Sequence, residues 1–86
     1  MVVGISSHFT KRAKRLSKIE RDELDLRTEW FMADPKDYRL KTHALTGNLK
    51  GYFSFSITRG KRVKFIWVSD NKVLFIDVGS HEEVYR

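Results

Sequence analysis

Three features of the sequence predict an α+β fold in the order β-α-α-β-β-β. A short β-branched run, Val2-Val3-Gly4-Ile5, precedes two stretches whose apolar residues recur at helical spacing. A lone proline, Pro35, closes the helical part. From Gly51 onward the apolar period drops to two, the spacing of strands. The expected architecture is one domain over residues 1–86, a helical hairpin packed on a small, mainly antiparallel twisted sheet.

Each element has its own signal. Val2 to Ile5 reads as the first strand. Ser6 or Ser7 can cap the next helix by accepting a bond from one of its free N–H groups. Phe9, Ala13 and Leu16 recur at i, i+4 and i+7 and give it an apolar face; Lys11, Arg12, Lys14, Arg15 and Lys18 cover the rest. Ser17-Lys18-Ile19-Glu20 has the form of a capping box, ending the first helix and starting the second. Asp22 and Glu23 then complement the helix dipole. Leu24, Thr28 and Phe31, flanked by Leu26 and Trp30, make a broad buried face, and Pro35 stops the helix near Asp34. The two helices form an antiparallel hairpin. Phe53, Phe55 and Ile57 then point toward the helices, while Tyr52, Ser54, Ser56 and Thr58 point away. Arg59-Gly60 makes a turn, after which Val63, Phe65 and Trp67 alternate with Arg62, Lys64, Ile66 and Val68. Ser69-Asp70-Asn71 is a second turn, and Val73 to Val78, apolar until Asp77, reads as a central or well-covered strand. The face bearing Ser54, Ser56, Arg62 and Lys64 is expected to lie open to solvent or a ligand.

Charge is distributed unevenly. The chain carries a net +6, yet residues 36–64 alone hold eight Lys/Arg against the single acid Asp37. Residues 22–35 are acidic, with five carboxylates against Arg27. A basic stripe of this kind attracts phosphate polymers or an acidic protein. No apolar run approaches the ~20 residues of a membrane span, and Met1 to Ile5 is too short for the apolar core of a signal peptide. With no cysteine there is no disulfide, thiolate ligand or thiol nucleophile, which fits a reducing cytoplasm.

The candidate chemistry rests on few residues. The three histidines, His8, His43 and His81, form no metal-binding spacing, and no glycine-rich loop cradles a phosphate. Neither a metal nor a cofactor is expected. His43 lies before the first hairpin strand and His81 after the last, and a meander can bring these two ends to one edge. Arg62 projects between them on the open face. Two imidazoles and a guanidinium suit phosphodiester cleavage: one imidazole removes a proton, the other gives one, and the arginine stabilises phosphoryl charge. Histidine changes charge near neutral pH, as both roles require.

Several segments resemble the RelE/ParE superfamily of toxins from toxin–antitoxin pairs. Asp34-Pro35-Lys36-Asp37-Tyr38-Arg39-Leu40-Lys41-Thr42-His43-Ala44-Leu45-Thr46-Gly47-Asn48-Leu49-Lys50-Gly51 resembles the joint before that family's sheet. Tyr52-Phe53-Ser54-Phe55-Ser56-Ile57 with Arg62-Val63-Lys64-Phe65 resembles its first hairpin, and Gly79-Ser80-His81-Glu82-Glu83-Val84-Tyr85 the ending of its RelE/YafQ-like branch. The resemblance implies an endoribonuclease, an mRNA interferase, cutting mRNA on the ribosome and silenced by a cognate antitoxin. It implies catalytic roles for His43, Arg62, His81 and Tyr85, with His43 as base and His81 as acid; the residues alone leave that order open. Lys41, Lys50, Lys61 and Lys64 are expected to bind flanking phosphates or ribosomal RNA. Where several relatives carry extra basic residues on the hairpin strand, this chain has Ser54 and Ser56. The alternative is a non-enzymatic ParE-like inhibitor of DNA gyrase, or an inactive basic binding module. The ParE branch lacks this residue set, so His43, Arg62, His81 and Tyr85 favour the nuclease branch.

Overall fold

The structure, a computed structural model, describes residues 1–86. Strand β1 (Val2–Ile5) leads into helix α1 (Ser7–Ala13) and helix α2 (Lys18–Ala33). A 3-10 turn at Tyr38–Leu40 precedes the two-residue strand β2 (His43–Ala44). Strands β3 (Phe53–Ser56), β4 (Lys61–Ser69) and β5 (Lys72–Ser80) follow, then a one-turn helix α3 (His81–Val84). The five strands lie in the order β1-β5-β4-β3-β2. Only β1 and β5 are parallel; the other three pairings are antiparallel. The α+β class and the mainly antiparallel sheet are as the sequence predicts, and β5 is an interior strand, covered on both edges by β1 and β4.

The helix boundaries follow their caps. Ser6 Oγ accepts from Phe9 N at 3.0 Å and its hydroxyl donates to the Ile76 carbonyl at 3.0 Å. One serine therefore starts α1 and ties it to β5. The capping box closes at Ser17: Glu20 N donates to Ser17 Oγ at 3.1 Å and Ser17 N to Glu20 Oε1 at 2.9 Å. Asp34 is extended at the end of α2, as Pro35 demands. Leu16 lies beyond the end of α1 but is still buried in the core.

Phe31 of α2 is the centre of the core. Its ring stacks on Phe55 at 4.9 Å, meets Phe65 edge-on at 4.9 Å and Phe75 at 5.7 Å. All four rings are buried. Such offset and edge contacts suit the aromatic quadrupole and add to the burial of apolar surface. From α1, Phe9 reaches Phe75 at 5.5 Å. The shift of register between Lys64 and Phe65 is what lets β4 and β5 present Phe65 opposite Phe75.

Four expectations are corrected. Leu26 is exposed, because two residues from Leu24 is more than half a turn around α2. Trp67, whose alternation with Val63 and Phe65 implies a place in the core beside them, is 37% exposed at the margin of the cluster, its ring 6.5 Å from Phe31. The sheet has five strands rather than four, since β2 is too short to show alternation. Finally, the face bearing Ser54 and Ser56 is not open: Ser54 is fully buried and Ser56 nearly so. Their alternation places them opposite the phenylalanines correctly, but side chains from elsewhere cover them.

Candidate active site

The C-terminal turn builds the site. Ser80 and Glu83 form a second capping box: Glu83 N donates to Ser80 Oγ at 3.3 Å and Ser80 N to Glu83 Oε1 at 2.8 Å. Arg12 of α1 then pairs with Glu83 at 2.6 Å. The Ser80 hydrogen bonds, helped by the charge of Arg12, hold the Glu83 carboxyl below its ordinary range. Gly79 makes room for this pair, because a methyl there would come within 2.7 Å of Glu83 Oε1 and 2.9 Å of Arg12 Nη2. Val84, fully buried, anchors the turn against the sheet.

So fixed, α3 puts residues four apart on one face. His81 and Tyr85 lie with ring centroids 4.1 Å apart. The Tyr85 hydroxyl sits 2.8 Å from Ser54 Oγ and 3.0 Å from His43 Nε2. Strand register explains the convergence: His43 of β2 is opposite Ser54 of β3, which is opposite Lys64 of β4. Lys41, in the left-handed region at φ 53°, turns the chain into β2. Its carbonyl is 3.0 Å from His43 Nδ1.

These contacts assign the protons. A carbonyl only accepts, so His43 Nδ1 carries the hydrogen that meets Lys41. In the neutral ring Nε2 then accepts, the Tyr85 hydroxyl donates to it, and Tyr85 accepts from Ser54. When His43 is charged, Nε2 donates and the tyrosine turns its proton toward Ser54. The chain Ser54–Tyr85–His43 therefore accommodates either charge state without losing a bond.

Arg62 lies one step along the same face. It is opposite Ser56 on β3 and donates to Ser56 Oγ at 2.9 Å. Ser56 is two residues from Ser54, roughly 7 Å along the strand. His43, His81, Tyr85 and Arg62 thus occupy one end and face of the sheet. The four lysines divide. Lys41 precedes His43 and Lys64 stands over the Tyr52 ring at 5.2 Å. Lys61 turns toward Glu20 of α2 at 3.9 Å, and Lys50 follows the 3-10 turn at Gly47–Leu49. On the far side of His43, Phe53, Trp67, Pro35 and Thr42 line a cavity of about 480 Å³. No three His, Asp or Glu side chains gather to hold a metal ion, and no helix is long and apolar enough to cross a membrane.

Ser54 is the site residue that sequence reasoning misses, because a serine on the polar side of a strand reads as solvated. The α3 turn was visible in principle: Ser80-x-x-Glu83 repeats the S-x-x-E pattern of Ser17 and Glu20.

No family model and no curated protein matches the sequence. Solved structures do match its fold. YafQ from E. coli aligns with a TM-score of 0.80 at 18% identity, covering 98% of this chain and 97% of its own. A YoeB/ParE toxin from Agrobacterium tumefaciens aligns with a TM-score of 0.77 at 18% identity, covering 94% of this chain and 99% of its own. YoeB from Staphylococcus aureus, in its complex with YefM, aligns with a TM-score of 0.75 at 19% identity over 94% of this chain and 97% of its own. The fold is the one the RelE/ParE resemblance implies.

Proposed function

We propose that the chain is the toxin of a toxin–antitoxin pair and an endoribonuclease that cleaves mRNA on the ribosome in the cytoplasm. One observation carries this reading: a phenol hydrogen-bonded to one imidazole, packed on a second, with an arginine beside it on the same face. The fold shared with YafQ and YoeB supports it. The S. aureus YoeB–YefM complex supports an antitoxin as partner.

The reaction follows from the groups. The RNA 2′-oxygen attacks the adjacent phosphorus and the P–O5′ bond breaks. The 2′-hydroxyl proton passes to His43, through the Tyr85 hydroxyl that contacts Nε2. His81, protonated at the start, gives its proton to the departing 5′-oxygen. Arg62 neutralises charge on the non-bridging oxygens. The products are a 2′,3′-cyclic phosphate and a 5′-hydroxyl end, with His43 charged and His81 neutral. Lys41 and Lys64 hold neighbouring phosphates. Lys50 and Lys61 stand further round the surface, where they face ribosomal RNA.

Induction in growing cells followed by mapping of mRNA 5′ ends tests this. New 5′-hydroxyl ends within coding regions are expected. Growth arrest with intact mRNA and inhibited gyrase would overturn it in favour of the ParE-like reading.

A further inference from the structure

Beside Arg62 lies a groove of about 690 Å³ with no apolar lining residue. Five of its lining residues are cations: Arg27, Arg39, Lys41, Arg59 and Arg62. The hydroxyl residues Ser56 and Thr58 complete it. No carboxylate lines it.

The groove is held in shape. Trp30 of α2 lies beneath two of its guanidinium groups, Arg39 at 3.7 Å and Arg27 at 4.7 Å from the ring centre. Arg27 also bonds Glu23 at 3.3 Å, and its Nη1 reaches the Arg39 and Ser56 carbonyls at 3.4 and 3.5 Å. Asp37 grips Arg39 at 2.7 Å. These two carboxylates do not line the groove, but they offset two of the five charges. Lys41, Arg59 and Arg62 have no carboxylate within ion-pair distance. An uncompensated excess of about three positive charges, on Lys41, Arg59 and Arg62, therefore faces one space beside the two restrained guanidinium groups of Arg27 and Arg39.

We propose that this groove binds the RNA backbone next to the cleaved bond, taking at least one internucleotide phosphate beyond the one held by Arg62. The inference rests on the nuclease reading and extends it to Arg27, Arg39 and Arg59. Planar guanidinium forks match phosphate oxygens, and the Ser56 and Thr58 hydroxyls supply further donors. An acidic peptide would need an apolar anchor for affinity, and this groove offers none. Arg62 is shared by the groove and the candidate catalytic cluster, so a strand in the one continues into the other.

The test is titration of a short 2′-O-methyl RNA, which cannot be cleaved, across a range of salt. The Arg39→Gln/Arg59→Gln double variant should bind about tenfold or more weakly at low salt. The slope of log affinity against log salt should fall by about 0.7 for each phosphate that the variant no longer neutralises. With cleavable RNA the weaker binding should appear in KM. A thermal melt establishes that the variant is folded, and Arg59→Gln alone, at an exposed turn, should show the same direction. Wild-type protein that cleaves RNA while the folded double variant keeps its affinity and salt slope overturns the groove and leaves the nuclease reading standing. Salt-sensitive binding through the groove, with no cleavage of free RNA or of mRNA on translating ribosomes, upholds the groove as an RNA site and overturns the nuclease reading. Binding of a polyglutamate peptide, sensitive to the same variants, with no RNA bound, overturns RNA as the occupant.

Discussion

The two faces of strand β3 are both buried, by opposite means. Phe55 is covered by Phe31, Phe65 and Phe75, contacts that are non-directional and shared among several rings. Ser54, one residue away, is covered by Tyr85, and its one side-chain partner is that phenol. The first kind of burial stabilises the fold wherever apolar volume is available. The second holds a specific group in place and leaves an unsatisfied hydroxyl if the partner goes. Burial does not separate core from site in this protein; the hydrogen-bond partner does.

Variants separate the two kinds of burial, beginning with the apolar face. Phe31→Ala removes the ring on which the core converges and should cost roughly 3–5 kcal/mol, with Phe55→Ala in the same range. Chemical denaturation reads this directly. A loss under about 1 kcal/mol would mean that the aromatic cluster rearranges to fill the space.

On the polar face, Tyr85→Phe should cost about 1–3 kcal/mol, because Ser54 is left buried without a partner. Adding Ser54→Ala should recover part of that loss, since both ends of the bond are then gone. A double-mutant cycle measures the coupling. Additive losses would mean that the Ser54–Tyr85 bond contributes nothing to stability.

The α3 turn gives a smaller, pH-dependent effect. Ser80→Ala removes the cap and should cost about 0.5–2 kcal/mol. Glu83 has its pKa lowered in the fold from an ordinary value of 4.5. The unfolded chain therefore binds that proton first as pH falls. The stability Glu83 contributes is complete above its ordinary pKa and is lost as pH drops through the lower folded value. Melting temperatures of wild type and Glu83→Gln should converge over that acidic range, and a constant gap would contradict the linkage. At the small end, Lys72→Ala, at the start of β5 and far from the site, should change stability by no more than about 0.5 kcal/mol and leave any RNA cleavage alone.

Much of the apolar face is legible in the sequence and little of the polar one. Phe31, Phe55 and Phe65 follow from periods of 3.6 and two, and Ser17, Glu20 and Pro35 mark the ends of α2. Such signals are local. Ser54 meets Tyr85 across 31 residues, and His43 meets Tyr85 across 42. No local pattern encodes these contacts; they come from strand register and from the turn at Ser80. Arg27 shows the same thing. It sits in the acidic segment of the chain, yet the fold carries it into a groove lined by five cations. Charge counted along the sequence places it on the wrong side.

In the proposed reaction Tyr85 links His43 to the reacting 2′-hydroxyl while His81 serves the leaving oxygen. Its most direct test is the pH–rate profile of RNA cleavage by wild type, His43→Ala, His81→Ala and Tyr85→Phe, each shown to be folded. Wild type should give a bell-shaped profile. His43→Ala should lose the limb that rises with pH and His81→Ala the limb that falls, each slowing cleavage by roughly 10²–10⁴-fold. Tyr85→Phe should reduce the rate with the acid limb of His81 intact. Wild-type rates in the folded histidine variants, or a bell unchanged by both, would contradict it.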